Sequence, residues 1–432
     1  MTMADLPADK QKALALFSGS GDGRLYAHLN SCVHCGLCAE SCIYYLTTHD
    51  PRFIPANKVD LVSSLYKRYF TFTGKFFPWL SHARDLDDAT IAEMVDQLFG
   101  ACTMCGRCTM HCSIGVDIDY LVRTGREILS TMGCVPATLQ STINTALQTG
   151  NNMGIPAPEL VDTLKWLEDE LKDEVGDPSA SIPLNQSGTT VLYTLNPREP
   201  KFFPMSISAM AKIFYAAKES WTLSTTMYDV TNYAFFSCNN SDAAQITARL
   251  YHEALNLGVK RCVLAECGHG SRAFRWEGPN YLGTSFPFDV LTSVELLAEY
   301  LRTGRIKLNK DLTTGVVTLH DPCNLVREGG VAEEQRFVIR HAVKDFVEMT
   351  PHGIDNYCCG GGGGQLSMSE YNERRMRNAE IKADQIRKTG ASIVVSPCHN
   401  CVDQLIQINN KFKLGVQVKT LAEIVADALV LE

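Results

Sequence analysis

Thirteen of the seventeen cysteines in this chain fall into three constellations whose spacing suits metal chemistry. The first comprises Cys32, Cys35, Cys38 and Cys42, and the second Cys102, Cys105, Cys108 and Cys112. Both read C-x2-C-x2-C-x3-C. In that spacing three thiolates line a tight loop around one iron–sulfur cube, and the fourth, a helical turn further on, points to the other cube. This crossing assigns Cys32, Cys35, Cys38 and Cys112 to one [4Fe–4S] cubane, and Cys102, Cys105, Cys108 and Cys42 to a second. Gly36 and Gly106 occupy matching positions, where the missing side chain lets backbone approach sulfide. Ile43 and Ser113 stand where proline usually follows the fourth cysteine, a mild departure. Zinc also favours C-x2-C pairs, but a zinc ion takes four ligands and usually draws them from two separated pairs. Four cysteines within eleven residues, twice over, fit iron–sulfur clusters better.

The third constellation is Cys323, then Cys358-Cys359-Gly360, then Cys398 and Cys401. Adjacent cysteines rarely bridge each other, because disulfide geometry is strained there. Five thiols exceed what a cubane or a zinc ion needs. Val316–Pro322 precedes Cys323 and Ser392–Pro397 precedes Cys398, both β-branched runs that end in a loop. An open α/β sheet gathers a site at its strand C-termini in this way. The run Gly360–Gly364 lets the chain pass close to whatever the cysteines hold; a flexible linker is the alternative.

These sites need elements to position them. Fifty-nine residues separate Cys42 from Cys102, too many for a compact bacterial ferredoxin. Asn57–Tyr66 and Thr90–Phe99 carry apolar residues at helical spacing. The expected fold class is α/β plus α. A helical ferredoxin-type two-cluster domain spans 1–130 with an insert at 43–101, and a helical connector and linker spans 131–188. The connector holds an acidic amphipathic helix, Asp162–Glu174, and a Pro/Ser/Gly-rich stretch, Gly176–Gly188, placing the boundary near residue 185. A pseudo-duplicated α/β domain then fills 189–432, with a degenerate repeat at 189–305 and a cluster-binding repeat at 312–432. Val191–Pro197 parallels Val316–Pro322, Asn232–Cys238 parallels Asp355–Cys359, Val263–Cys267 parallels Val394–Cys398, and the helix at Ser293–Tyr300 parallels Thr420–Asp427. In the first copy the five ligand places become Arg198, Ser237, Cys238, Cys267 and Gly270, too few thiols to hold a cluster. Cys238 and Cys267 are then buried remnants, or they approach the cluster of the second copy. His269 is either structural or a substrate-side proton donor facing that cluster. His399, between two ligand positions, supports its neighbours, and Cys134 and Cys262 are core or surface thiols.

Forty basic against forty-eight acidic side chains give a net charge of −8, which leaves no footprint for nucleic acid. With 432 residues, 45% of them hydrophobic, the chain can build two or three packed domains. The first twelve residues lack an apolar signal region, and no apolar run of about 18 residues occurs, so neither export nor a membrane span is expected. Leu65–Leu80 carries seven aromatics with basic residues interspersed. It suits either docking on a membrane partner or its headgroups, or helix packing inside the enlarged cluster domain.

The cysteine, Cys-Cys-Gly and C-x2-C at 323, 358–360 and 398–401 resemble the CCG-domain iron–sulfur family. In heterodisulfide reductase that pattern binds a non-cubane [4Fe–4S] cluster at which the substrate chemistry occurs. Two ferredoxin motifs followed by this pattern, over nearly the whole chain, resemble the D-type subunit of heterodisulfide reductase. The likeness is closer still to cytoplasmic subunits of sulfate-reducer membrane redox complexes, the B-type subunit of the Tmc complex and the K-type subunit of the Dsr complex. Ala217–Ser224 and Glu266–His269 are shared with those in particular; the C-type subunit of glycerol-3-phosphate dehydrogenase is more distant. The thirty-eight residues between Cys359 and Cys398 slightly exceed the usual gap, which bears on the loop path rather than the ligand set. The resemblance implies that Cys323, Cys358, Cys359, Cys398 and Cys401 hold the non-cubane cluster and take part in thiol/disulfide redox chemistry, with His269 beside them. It implies a protein on the cytoplasmic side of the cell membrane, attached through partners: a haem b membrane subunit, other subunits of a transmembrane complex, and a multihaem cytochrome c at one remove. A disulfide-bearing sulfur-carrier protein is the implied substrate. The rival readings are a pure electron relay without substrate chemistry, and a structural zinc protein.

Overall fold

Apolar residues at helical spacing between the first two cysteine motifs fold as the helix Pro55–Phe70, with proline in its first turn and Val59, Val62, Leu65 and Tyr69 buried. The structure is a computed structural model that describes residues 3–19 and 23–431. The chain divides into two compact units. The first is Met1–Ser141 with Ala234–Asn239 and Gly360–Ile381; the second is Thr142–Tyr233, Asn240–Cys359 and Lys382–Glu432.

In the first unit Pro55–Phe70 packs on Ile118–Thr131, which buries Leu121, Val122, Ile128 and Leu129 and is capped by the Asp117 carboxylate on the Tyr120 N–H. A Cβ at Gly125 would lie 2.5 Å from Leu98 and 2.9 Å from Val62, so the close approach of these elements needs glycine there. The segment expected as one helix over Thr90–Phe99 is an α-helix at Asp88–Met94 followed by a π-turn at Val95–Phe99. That wider turn leads into the second cysteine motif. Gly362 and Gly363 lie against this motif: a Cβ on them would come within 2.9 Å of Thr103 O and 2.7 Å of Cys102 O. The glycine run therefore serves a close approach to the second cysteine motif, and is not a linker.

The second unit contains two four-stranded parallel sheets. The strands described are β1 (Val191–Tyr193), β2 (Trp221–Leu223), β3 (Arg261–Leu264), β4 (Asp289–Thr292), β5 (Lys307–Leu308), β6 (Val317–Leu319), β7 (Phe346–Glu348), β8 (Ile393–Val395), β9 (Gln417–Lys419) and β10 (Leu429–Val430). One sheet runs β2-β1-β3-β4 and the other β7-β6-β8-β9, with Val191 opposite Arg261 and Val317 opposite Ile393; β5 and β10 pair antiparallel. The helices after β4 and β9 both begin on a reciprocal capping box, Thr292 with Glu295 and Thr420 with Glu423. Val191, Leu192, Val263, Val317, Leu319 and Val395 are fully buried, as befits parallel strands covered on both faces.

The acidic helix extends over Ala157–Val175 and buries Leu160, Leu164, Leu167 and Leu171 against Pro204–Ala216. Its apolar stripe makes residues 142–188 part of the second unit's core rather than a free connector. The boundary lies at residue 141 instead of near 185, and Asn185 N–H donates to Leu223 O at the sheet edge. Leu65–Leu80 is divided: Leu65 and Tyr69 are buried, whereas Phe72, Phe76, Phe77, Trp79 and Leu80 are exposed. Among the described residues, no helix is long and apolar enough to cross a membrane.

Candidate iron-sulfur sites

The first two motifs share one backbone turn. His34 (φ 55°) and Met104 (φ 50°) are left-handed at the same offset, each followed two residues later by a left-handed glycine, Gly36 (φ 84°) and Gly106 (φ 69°). Left-handed backbone costs a non-glycine residue about 1 kcal/mol, so its recurrence marks a turn imposed by the site. Cys32 and Cys38 have Cys35 and Cys112 among their electrostatic neighbours, which brings these four thiols together. Cys35 is exposed, Cys38 is buried, and Asp60 faces Cys32 while accepting from His34 Nε2 at 2.9 Å.

Cys42, Cys102, Cys105 and Cys108 line one cavity of the first unit, together with Lys58. The Cys102 and Cys108 thiols open onto this cavity, but burial still pushes both above the usual thiol range, Cys108 furthest. Lys58 is buried and its Nζ donates to Ala101 O at 2.5 Å. Burial disfavours its charge, but Cys102, Cys42, Cys108 and Cys105 outweigh that and raise its pKa. Arg126, wholly buried, donates to Leu98 O from Nε (3.0 Å) and Nη2 (2.8 Å), to Cys102 O from Nη2 (2.9 Å), and from Nη1 to Phe236 O (2.6 Å) and Gly363 O (3.0 Å). The second site is thus enclosed and carries two buried cations. The first is open and faces an acid.

In the second unit all five cysteines of the third constellation are buried. Cys323 opens the helix Cys323–Val326 after β6, and Cys398 caps His399–Phe412 after β8. Cys359 and Cys401 Sγ atoms are 3.6 Å apart, and both Cys359 and Cys398 act electrostatically on Cys401. Cys398 is held below the usual thiol range, chiefly by a hydrogen bond from Cys401, with a further one from Gly268 N–H at 3.5 Å. Cys358, Cys359 and Cys401 all act on Lys382. Asn324 and Leu325, which follow Cys323, pack on Gly268.

Sequence reasoning overlooked two further groups here. His320, buried at the end of β6, has a ring nitrogen within 4.8 Å of the Cys359 and Cys401 sulfurs. Lys382 is wholly buried and its Nζ donates to Asn356 Oδ1 at 2.8 Å, while Asn356 Nδ2 donates to Asp321 O at 2.8 Å. Burial pushes the Lys382 ammonium down to about 8 against the opposing pull of Cys359, Asp321, Cys358 and Cys401. A signal for Lys58 existed: it falls on the apolar stripe of its helix with Pro55, Val59, Val62 and Leu65. His320 precedes Asp321-Pro322-Cys323 without any spacing that marks it.

Residues of the first sheet's loops also reach this place. Cys398 acts on Cys267 electrostatically, and the Cys267 Sγ lies 3.4 Å from His269 Nδ1. The His399 N–H donates to Glu266 O at 2.7 Å, and the Glu266 carboxylate accepts from Leu421 and Ala422 N–H. Burial, then Arg198, pushes His269 down to about 3, so it stands neutral with its ring 5.2 Å from that of Tyr233. His399 is held between Glu266 O and Ser206 Oγ, both at 3.0 Å, in a supporting position. Arg198 pairs with Asp403. Cys238 belongs to the first unit and Cys267 to the second. Cys262 is buried within β3 and Cys134 is half-buried.

All seventeen cysteines are free thiols. Three groups of convergent thiols, two with a buried lysine beside them, fit anionic iron–sulfur clusters, whose negative charge those lysines would offset.

Known families match on these same segments: the 4Fe-4S dicluster domain over residues 28–116 and the Cysteine-rich domain, CCG, over 317–406. The Hdr-like menaquinol oxidoreductase iron-sulfur subunit 2 of Archaeoglobus fulgidus is 29% identical, over 93% of this chain and 80% of its own length. The D-type subunit of dihydromethanophenazine:CoB–CoM heterodisulfide reductase from Methanosarcina barkeri is 27% identical, over 93% of this chain and 94% of its own. Probable membrane-anchored ferredoxin of Chromohalobacter salexigens is 24% identical, over 93% of this chain but 60% of its own length. The chain thus carries a 4Fe-4S dicluster domain and a CCG domain, one on each kind of cysteine constellation, and along nearly its full length it is similar to Hdr-like iron–sulfur subunits and to the D-type subunit of heterodisulfide reductase.

Proposed function

We propose that this chain is the iron–sulfur subunit of a membrane-bound electron-transfer complex, with two cubanes relaying electrons to or from a thiol/disulfide site at the third constellation. The observation that carries this reading is the convergence of buried Cys358, Cys359, Cys398 and Cys401 beside His320 and Lys382 at the strand ends of one parallel sheet. Cys32, Cys35, Cys38 and Cys112 would hold one cubane and Cys102, Cys105, Cys108 and Cys42 the other. Cys323, Cys358, Cys359, Cys398 and Cys401 would hold a non-cubane [4Fe–4S] group, which supplies the means of joining one-electron delivery to two-electron cleavage of a disulfide into two thiols. Around it the protein excludes water, sets Lys382 as a positive charge against the thiolates, and keeps His269 neutral beside Cys267.

The matching strand orders β2-β1-β3-β4 and β7-β6-β8-β9, with a capping box after each last strand, support a pseudo-duplication whose first copy has lost its cluster. In this reading the partners are a haem b membrane subunit, further subunits of a transmembrane complex and, at one remove, a multihaem cytochrome c. A sulfur-carrier protein disulfide is the substrate, met on the cytoplasmic side.

Anaerobic iron and sulfide counting with EPR during thiol titration tests this. About twelve irons per chain are expected from three four-iron clusters, with a paramagnetic species that appears only on thiol addition and disappears in Cys358→Ser. About eight irons would remove the third cluster. Twelve irons with no thiol-dependent signal, and disulfide-linked turnover intact in Cys358→Ser, would leave a pure relay.

A further inference from the structure

The chain carries a net charge of −8, yet Leu61 to Arg84 contains no Asp or Glu and four basic residues, Lys67, Arg68, Lys75 and Arg84. Arg68 and Arg84 are neutralised at the base of this segment by Asp85 (2.8 Å) and Glu93 (2.7 Å). Lys75 and His82 remain exposed among aromatic side chains. Those side chains stand on two short helices, Phe72–Phe76 and Pro78–Ser81. Phe72, Phe76, Trp79 and Leu80 are 71%, 62%, 73% and 70% exposed, and Phe77 43%. The rings meet one another, Phe72 with Phe76 at 4.8 Å and Phe77 with Trp79 at 5.6 Å, while pointing away from the core.

The wedge is rigidly held. The Arg68 guanidinium donates to Gly74 O (3.4 Å) and Lys75 O (3.2 Å), and the Thr71 hydroxyl accepts from Gly74 N–H (3.1 Å). A Cβ at Gly74 would lie 1.9 Å from Lys67 O, so the first short helix is pressed onto the end of Pro55–Phe70. A protein that fixes five large apolar side chains outward, at the cost of a glycine and a buried arginine, presents them to something.

We propose that this wedge docks on an anionic phospholipid surface. Phe72, Phe76, Trp79 and Leu80 enter the interfacial layer, and Lys75 meets lipid phosphate. Aromatic side chains flanked by lysine suit that layer, where rings lie at headgroup level and basic groups meet negative charge. The lack of any spanning helix among the described residues makes the contact peripheral. Attachment would thus belong partly to this chain's own surface, whatever chemistry its clusters perform.

Flotation of the full, anaerobically purified chain with vesicles of equimolar phosphatidylglycerol and phosphatidylcholine tests this. The wild type is expected to float, and the Phe72→Ser, Trp79→Ser, Leu80→Ser triple variant to bind about tenfold less. Lys75→Glu should weaken binding several-fold, and pure phosphatidylcholine vesicles should bind poorly. Brominated lipid should quench the wild type more than Trp79→Phe. Iron content and visible spectrum, unchanged in every variant, report that the chain is folded and keep this test separate from that of the redox reading. A wild type that stays at the bottom of the gradient would overturn the proposal, and so would a triple variant that floats equally. Capture of the non-floating wild type by a detergent-solubilised polytopic protein would assign the wedge to a protein partner instead.

Discussion

Removal of the Arg126 guanidinium is the sharpest test of how the first unit is assembled. Its five hydrogen bonds reach four carbonyls, on Leu98, Cys102, Phe236 and Gly363, and no carboxylate bonds to it among the described residues. Bonds from a charged donor contribute about 1.5–3 kcal/mol each, roughly 7–15 kcal/mol for five. Desolvating the buried cation takes back several kcal/mol. The net effect of Arg126→Met is therefore about 4 kcal/mol of destabilisation, with four buried carbonyls left without this donor. Arg126→Lys keeps the charge but reaches fewer carbonyls with its single ammonium, so about 2–3 kcal/mol is expected. Urea unfolding of the anaerobically purified protein, followed through visible cluster absorbance and far-UV circular dichroism, should show midpoints in the order wild type, Arg126→Lys, Arg126→Met. The second cubane signal should be lost first. A methionine variant within about 1 kcal/mol of wild type, with full iron content, would refute the view that this one side chain ties the segments together.

Lys58→Met should lower the midpoint potential of the second cubane and leave the first unmoved. A unit charge beside a cluster, at an effective dielectric constant of about 20, is worth on the order of 2 kcal/mol, or ~100 mV for one electron, and EPR-monitored redox titration reads it. Gly363→Ala places a methyl 2.7 Å from Cys102 O at a backbone φ of 64°. About 2–4 kcal/mol of destabilisation and a falling iron count are expected, measured by melting and iron assay. Burial pushes the Glu199 carboxyl up to about 8 from 4.5, so the folded chain keeps a proton that the unfolded chain releases. Stability from this group is lost as pH rises from 4.5 towards 8 and is flat above; melting temperature should fall from pH 6 to pH 8, less steeply in Glu199→Gln.

The cysteine spacing made the donor groups legible because ligand geometry is local: three thiols two residues apart must curl, and His34 with Gly36 repeats the turn of Met104 with Gly106. The strand ends before Cys323 and Cys398 were equally plain, since β-branched runs report burial on both faces. Burial alone does not say what lies opposite. The apolar face of Ala157–Val175 therefore reads as part of a connector, although Pro204–Ala216 covers it. Lys58 reads as an ordinary helix lysine unless its place on the apolar stripe is noticed, and His320 becomes a site residue only when β6 and β8 lie side by side. The aromatic stretch packs in its first part and stands exposed in its second, a division the sequence hides because residues only a few positions apart in it face core and water in turn.

The two late segments of the first unit also set an order of manufacture. Arg126 is 237 residues away from its partner Gly363, and Gly360–Ile381 joins a unit that begins at the N-terminus. A ribosome that has released both ferredoxin motifs has yet to synthesise the glycine run that seats against Cys102. The backing of the second cysteine motif is therefore completed only after most of the chain has been translated, although the residues that line its cavity are made early. The packing that fixes the Cys102 backbone is thus a late event in the life of the nascent protein, coupled to the arrival of its own C-terminal half.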